Sequence, residues 1–485
     1  MAGANPSLRV WMPPFDVVSL FSGCGGLDLG FVAAGGRIVY ASDKSKHAVA
    51  CYRHNLGDHC HRRDVTSAEF RADIEQLDHT DIVLGGFPCQ GFSKAGPKRS
   101  DDPRNLLYTS MQDTVLRLRP KVFVAENVDG IQQNFKGEFV RLVREGFQAD
   151  HVQYDIHYQI LDAAHFGVPQ HRRRAFFVGV RRDLAAGARF RWPTHTRQRR
   201  KRNGEFAIPD APLFDRGGPS REEQATLQPP ATVRDAIGDL PAPTADIADH
   251  LTTERWPDSY RHVFSAIGPG QKLCNVRHAA TSVYTWQIPE AFGPTTPVQR
   301  TILSTISRNR RHKRYGNIPN GNPLPVDVIA GLTGLETDIV QAECDRLVLA
   351  DYLKPKKGGY DLKGAMFCSG LFKRPGWDAP SPTVLTNFHN PRYFMHPEAD
   401  RPFTLRECAR LQTFDDTFGF TAAGISLVEG HRLVGNAVPP RLSAAIARSV
   451  AAVLTGVGPS VHSGPTPSAT VASVPTTASG NARPA

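Results

Sequence analysis

Three short stretches carry side chains whose types and spacing can do chemistry. The first is Gly85–Ser93, GGFPCQGFS, which follows the apolar run Asp81–Leu84. Three apolar residues after Asp81, closed by a glycine pair, read as a buried strand and its end. Pro88 fixes the turn and leaves Cys89 at the strand's C-terminal edge, where open α/β sheets bind ligands. There a flat substrate has room to approach the sulfur; the plain alternative is a small buried thiol closing a turn. The second stretch, Lys121–Ala125 (KVFVA), is again strand-like and ends in Glu126-Asn127-Val128, which offers a carboxyl at a neighbouring edge. The third is PQHRRRAFFVGV, where Arg172 and Arg174 stand two apart before the apolar run Ala175–Val180 and so share one face of a strand. Arginines so placed either grip a planar or anionic group or simply line a surface edge.

Elements that must position these groups lie upstream. Asp16–Leu20 (DVVSL) reads as a buried strand and runs straight into the glycine-rich turn of Phe21–Phe31, FSGCGGLDLGF. Strand, glycine turn and helix form the opening unit of a dinucleotide-type α/β fold. The spacing is not GxGxxG and no P-loop lysine follows, so a phosphate cradle is not the preferred reading. A second strand, Arg37–Ala41, ends at Ser42-Asp43 before a helix over His47–Leu56. Asp43 sits where such folds hold a ribose hydroxyl pair, or else it caps the helix. Asp64, in HRRDVTS, is placed to accept from an adenine amino group, or is likewise a cap. Four strand ends thus carry a usable residue or turn, and together they define a site on a doubly wound α/β sheet.

The remaining chain bounds what acts on that site. With 485 residues, two or three domains are expected, and 40% hydrophobic with 22% charged residues is a globular composition. Lys plus Arg exceed Asp plus Glu, for a net charge of +11, which fits a polyanionic partner such as nucleic acid. The eight cysteines form no CxxC pair, which fits a reducing cytoplasm. No apolar run of ~18 residues stands out, so no membrane span is expected. Residues 1–14 read as a leader without a signal-peptide core, 15–182 as the first part of a catalytic domain, and 183–380 as a separate region opening with a basic run, RQRRKR. Within it, residues 301–362 show RNRRHKRYGN, a helix over Val326–Leu332, a turn at Gly334, a second helix from Glu336 to Leu349, and a hairpin with a KPKKGG tip. That order is the pattern of a winged helix. Residues 381–455 return to the core and end in a helix with Leu442, Ile446, Val450 and Val453 on one face; residues 456–485, poor in large apolar residues, are expected to be disordered.

FSGCGGLDLGF, GGFPCQGFS, ENV, PQHRRRAFFVG, RPFTLRECARLQTF and GNAVPP, in this order, resemble the motifs of the bacterial-type DNA (cytosine-5) methyltransferases. The likeness covers residues 15–182 and about 380–455, leaving 183–380 as the variable target-recognition part. It implies a Rossmann-like fold that uses S-adenosylmethionine as methyl donor and no metal, and duplex DNA as partner. By the same likeness Cys89 is the nucleophile, Glu126 the carboxyl that protonates the base, and Arg172 and Arg174 the arginines beside it. The donor would be held by Phe21, Gly23, Cys24, Gly25, Gly26, Asp43 and Asp64, with Asn436 closing the pocket. Asp43 departs from the family, where Glu is usual and an aromatic often follows; here Lys44 follows. A cytoplasmic, nucleoid-associated monomer is expected, with a restriction nuclease as a candidate companion.

Other readings compete with this one. A tRNA cytosine-5 methyltransferase shares the fold but usually has a short middle region, whereas this one is long and carries the helix–hairpin pattern. A non-catalytic winged-helix regulator would not need Cys89, Glu126 and Arg174. An amino-methyltransferase is disfavoured because Met12–Phe15 (MPPF) lacks a polar residue before its prolines. Metal binding by His54, His59, Cys60 and His61 is disfavoured because adjacent ligands do not close a tetrahedron.

Overall fold

The computed structural model describes residues 14–87, 106–129, 138–149, 152–184, 189–197, 199–200, 206–207, 227–252, 256–318, 321–363 and 371–456. Cys89, most of the leader, part of the RQRRKR run and the expected tail lie outside the described residues.

An eight-stranded sheet organises the catalytic half. Its strands are β1 (Phe15–Leu20), β2 (Gly36–Asp43), β3 (Cys60–Arg62), β4 (Ile82–Gly85), β5 (Val122–Val128), β6 (Gln148–Ala149), β7 (Val152–Asp162) and β8 (Arg173–Arg181). They lie in the order β3-β2-β1-β4-β5-β8-β7-β6. The first five run parallel, and β8 then pairs antiparallel with both β5 and β7. Parallel strands covered on both faces read as unbroken apolar runs, which is why DVVSL, DIVL and KVFVA were legible. One face buries Val17, Ile82, Val124 and Val178, the other Val18, Val83, Phe123 and Phe177. The chain leaves β1 toward β2 on one side and later places β4 on the other, so a crevice opens at the carboxyl ends of β1 and β4. Antiparallel register sets Glu126 opposite Phe176, and Val128 opposite Arg174.

The chain's last described helix, Pro440–Thr455, completes this layer. Leu442, Ile446, Val450 and Val453 are all buried, as their spacing predicts. It packs on helix α1 (Gly26–Ala33) so closely that a Cβ on Gly30 would lie 2.3 Å from the backbone nitrogen of Ala444. By length and composition, Leu427–Thr455 contains a stretch apolar enough to cross a membrane, against the expectation that no such run stands out. It is two helices, Leu427–Asn436 and Pro440–Thr455, broken at Ala437–Pro439, and 67% of the apolar window is buried in the core.

The region between the two catalytic parts divides. Helix Val233–Ile237 packs with the returning chain, burying Val233 and Ile237 beside Phe388, Leu405 and Leu411. Farther on, helices Pro297–Asn309, Val326–Thr333 and Thr337–Leu349 precede an antiparallel hairpin of Leu353–Lys356 and Gly359–Leu362. Leu324 bridges Tyr360, adding a third strand position to that hairpin. These elements share a core of their own that includes Ile302, Leu324, Ile329, Val340, Leu347 and Leu353. The helix over 297–309 was not read from sequence, although Pro297 at its first turn and the Thr296–Gln299 capping box announce it.

Candidate active site

Backbone geometry at the end of β1 makes a cradle. Phe21 takes a left-handed φ of 54°, Gly23 57° and Gly25 91°, a run that turns the strand into α1. Left-handed φ costs an L-residue about 1 kcal/mol, so Phe21 holds a conformation that glycine would adopt freely. A Cβ added at Gly23 would meet nothing within 4 Å, so the space before this glycine is open. Its N–H donates to Asp43 Oδ2 at 2.9 Å, and Ser45 N–H donates to Asp43 Oδ1 at 2.8 Å. Burial pushes the Asp43 carboxyl up, and those two N–H groups hold it back.

Neither aspartate is the helix cap. Ser45 caps helix α2 (Lys46–Leu56) by accepting from Ala48 N–H, and Ser67 caps the following helix, Ala68–Glu75. Asp64 instead accepts from Thr66 N–H at 3.1 Å and Thr66 Oγ1 at 2.8 Å, and pairs with Lys44 Nζ at 2.7 Å. Lys44 and these donors pull its carboxyl down to about 2. Lys44, the residue that departs from the family pattern, is therefore tied to the neighbouring strand end.

Cys24 faces away from the cradle. Its buried thiol points at the Leu433 carbonyl, 3.8 Å away, and burial raises its pKa, so only its backbone can serve a ligand. Gly26 lies against the turn that follows Asn436: a Cβ there would stand 2.4 Å from the Val438 oxygen. Asn436, exposed at the end of its helix, is thereby brought beside the glycine turn. The four candidate metal ligands do not converge: His61 stacks on Tyr40 while the Cys60 thiol contacts Ser22.

Across the crevice, Arg174 Nε lies 2.9 Å from Glu126 Oε1, with side chains 14% and 12% exposed. Burial raises the Glu126 carboxyl, while Arg174 and, behind it, Arg172 lower it. A Cβ on Gly86 would sit 3.7 Å from Glu126 Oε2 and 3.9 Å from the Phe21 oxygen. Gly86 therefore joins the carboxyl to the glycine cradle. Arg172 is used differently from Arg174. It is fully buried, and its two terminal nitrogens donate to the Val384 carbonyl at 3.0 Å and the Gly435 carbonyl at 2.9 Å. Its Nε is buried without a partner among the described residues.

Two residues inside the quoted motifs went unassigned. Asn127 is buried and donates from Nδ2 to the Phe87 carbonyl at 3.0 Å, fixing the backbone two residues before Cys89 in sequence. Gln170 is buried and bonds Leu411 O, Gln412 Oε1 and Val384 N, so it stitches the start of β8 to the returning chain. The signal for both was present: an amide within two residues of a charged site residue, Asn127 after Glu126 and Gln170 before Arg172.

A Rossmann-like sheet with a glycine cradle at β1, an acid at the end of β2 and a carboxyl–arginine pair at β5 and β8 defines a methyltransferase class of site. The model of the C-5 cytosine-specific DNA methylase family matches residues 15–452, nearly the whole chain. The chain belongs to that family, and it is a DNA cytosine-5 methyltransferase. It is 32% identical over 457 residues to the Type II methyltransferase M.AgeI of Thalassovita gelatinovora, covering 89% of this chain and 98% of the relative. It is 28% identical to M.HgiBI of Herpetosiphon aurantiacus, with 91% and 98% covered, and 29% identical to M.NgoFVII of Neisseria gonorrhoeae, with 90% and 86% covered. The family's methyl donor is S-adenosylmethionine, and its substrate is DNA.

Proposed function

We propose that this enzyme methylates a cytosine flipped out of duplex DNA through a covalent adduct of Cys89. The observation that carries the reading is the Glu126–Arg174 pair beside Gly86 and the Asn127-held backbone of Phe87. Carbon 5 of cytosine is a poor nucleophile. Addition of the Cys89 thiolate to carbon 6 makes the ring an enamine, provided ring nitrogen 3 gains a proton as charge develops. Glu126, held up by burial, is suited to supply that proton, and Arg174 orients this carboxyl and would face the base's carbonyl oxygen. Arg172, bonded to two backbone carbonyls, positions β8 from behind. When bound, the donor supplies an electrophilic methyl to carbon 5. Loss of the carbon 5 hydrogen to a base then expels the thiol and restores aromaticity.

The residues present fit S-adenosylmethionine. The open space at Gly23 leaves room for the methionine part against the backbone, Asp43 has acceptor capacity left for ribose hydroxyls, and Phe21 would stack on adenine. Asp64 would take the adenine amino group while keeping Lys44, and Asn436 would close the pocket.

A target inside a duplex is unreachable until flipped, at a cost of a few kcal/mol, so a second DNA-holding region is required. We assign this to the target-recognition region, with residues 301–362 as a winged helix on duplex DNA. The order helix, bridged strand, helix, helix, hairpin supports that reading, as do Lys354, Lys356 and Lys357 at the hairpin's end. Action as a cytoplasmic monomer, beside a nuclease reading the same sites, completes the proposal. The test is transfer of labelled methyl from S-adenosylmethionine to duplex DNA. Wild-type protein should transfer it and Cys89→Ala should not; unaltered transfer by that variant would remove the mechanism.

A further inference from the structure

The third helix of the unit, Thr337–Leu349, is the element a winged helix ordinarily lays in the major groove. Here its charge is wrong for that task. Glu336, Asp338 and Asp345 are exposed, Glu343 is half-buried, and Arg346, the one cation of the helix, is paired with Glu343. Asp345 also accepts from Tyr360 of the hairpin, which fixes it at the surface. Carboxylates facing a duplex meet phosphates and the acceptor edges of the bases without compensation.

Cations gather instead at the other end of the first helix. In the run Arg308–Arg314 only Arg310 turns inward, to a buried pair with Asp361 at 2.7 Å. Arg308, Arg311, Lys313 and Arg314 are exposed, and none of them is paired with a carboxylate among the described residues. Their loop is held in shape: Asn322, buried, donates to the carbonyls of Arg310 and Gly316 and accepts from Ile318 N–H. Exposed Arg277 belongs to an adjoining loop, since Ser307 Oγ donates to Asn275 O at 2.8 Å and Arg310 reaches the Val276 carbonyl. These five exposed cations, Arg308 at the helix end and the others on two mutually braced loops, make a pre-formed polyanion-binding surface, which needs little further ordering on binding.

We infer that the unit holds duplex DNA by this face, Arg277, Arg308, Arg311, Lys313 and Arg314 on the phosphates, with the Thr337–Leu349 helix outside the groove. The inference rests on the proposed DNA role of the unit and reverses the orientation that its helix order alone would give.

The experiment measures duplex affinity of the full chain by fluorescence anisotropy across a salt series. Replacing Arg308, Arg311, Lys313 and Arg314 together by Gln should flatten the slope of log K against log salt by roughly one for each phosphate no longer neutralised. Affinity near 0.1 M salt should fall at least about tenfold, with S-adenosylmethionine binding by calorimetry unchanged. Gln341→Ala with Arg346→Ala should leave slope and affinity as in wild type. An unmoved slope in the quadruple variant, or a weakening confined to the helix variant, overturns the inference. A variant lacking residues 301–362 is measured alongside: unchanged duplex affinity in it, with S-adenosylmethionine binding kept, shows failure of the underlying reading separately.

Discussion

Arg174 Nε and Glu126 Oε1 stand 2.9 Å apart on antiparallel neighbours, each with its side chain almost closed off from solvent. A pair so buried is costly to break from one side, because the remaining charge is left uncompensated. It is also where the proposed protonation of the base occurs. Glu126→Gln should therefore lower single-turnover methyl transfer by roughly 10²–10⁴-fold, the usual range for a general acid, while donor affinity stays within about twofold. Arg174→Ala should give a similar loss. The double variant should be little worse than either single one, since residues acting as a unit are not additive. Fully additive losses would show that Arg174 acts independently of the carboxyl.

Arg172 gives a different expectation. Its donors reach Val384 and Gly435 across more than two hundred residues of chain, so it fastens the returning segment to β8. Gly435 is tight for the same reason: a Cβ there would lie 2.5 Å from the Thr386 nitrogen. Arg172→Met should cost on the order of 3 kcal/mol of stability, since two buried carbonyls lose charged donors. Gly435→Ala should also destabilise, and the two together should cost less than their sum. Chemical unfolding of the four proteins checks this; unchanged stability in Arg172→Met would refute the clamp.

Much of this architecture was legible because parallel strands buried on both faces leave uninterrupted apolar runs, and each run ended at a residue that chemistry could use. Asp43 and Glu126 stand out as candidates in this way, and the helix–hairpin order of 301–362 follows from spacing and a glycine. What was not legible depends on contacts distant in sequence. Nothing near Arg172 says that its partners are the carbonyls of Val384 and Gly435, so it looked equivalent to Arg174. Arg310 likewise sits in a run of cations with nothing in the local sequence to single it out, yet Asp361 draws it inward. The charge of Thr337–Leu349 was in plain view, but its meaning required knowing which of its residues are exposed.

Asn127 tests whether backbone placement before Cys89 matters to rate. Its amide fixes the Phe87 carbonyl and its Oδ1 accepts from Val128 N–H, so the side chain spans two strand ends. Asn127→Asp keeps the size but removes the donor and adds a charge to a buried position. Asn127→Ala removes this donor to the Phe87 carbonyl, at a cost of about 0.5–1.5 kcal/mol. Both should lower kcat more than they alter the KM for the donor. A change confined to KM would place Asn127 with the donor pocket instead.

Asp28 links stability to pH. It lies fully buried in α1, accepting from Ser19 Oγ at 2.7 Å and Tyr52 OH at 2.6 Å. Burial outweighs those two bonds and pushes its carboxyl from 3.8 to about 6. A raised carboxyl means that the folded chain holds this proton more tightly than the unfolded one. The resulting stabilisation is present in full below the unfolded value, near pH 4, and is lost as pH rises through about 6. A shift of that size corresponds to about 3 kcal/mol between the ends of the window. Asp28→Asn keeps the shape and an acceptor for one hydroxyl but cannot titrate. Denaturant unfolding between pH 4 and 7 should therefore show a fall in wild-type stability relative to Asp28→Asn, concentrated in this window. Parallel curves for the two proteins would mean that Asp28 is ionised in the folded chain as readily as in the unfolded one, and that the hydroxyls of Ser19 and Tyr52 compensate its burial in full.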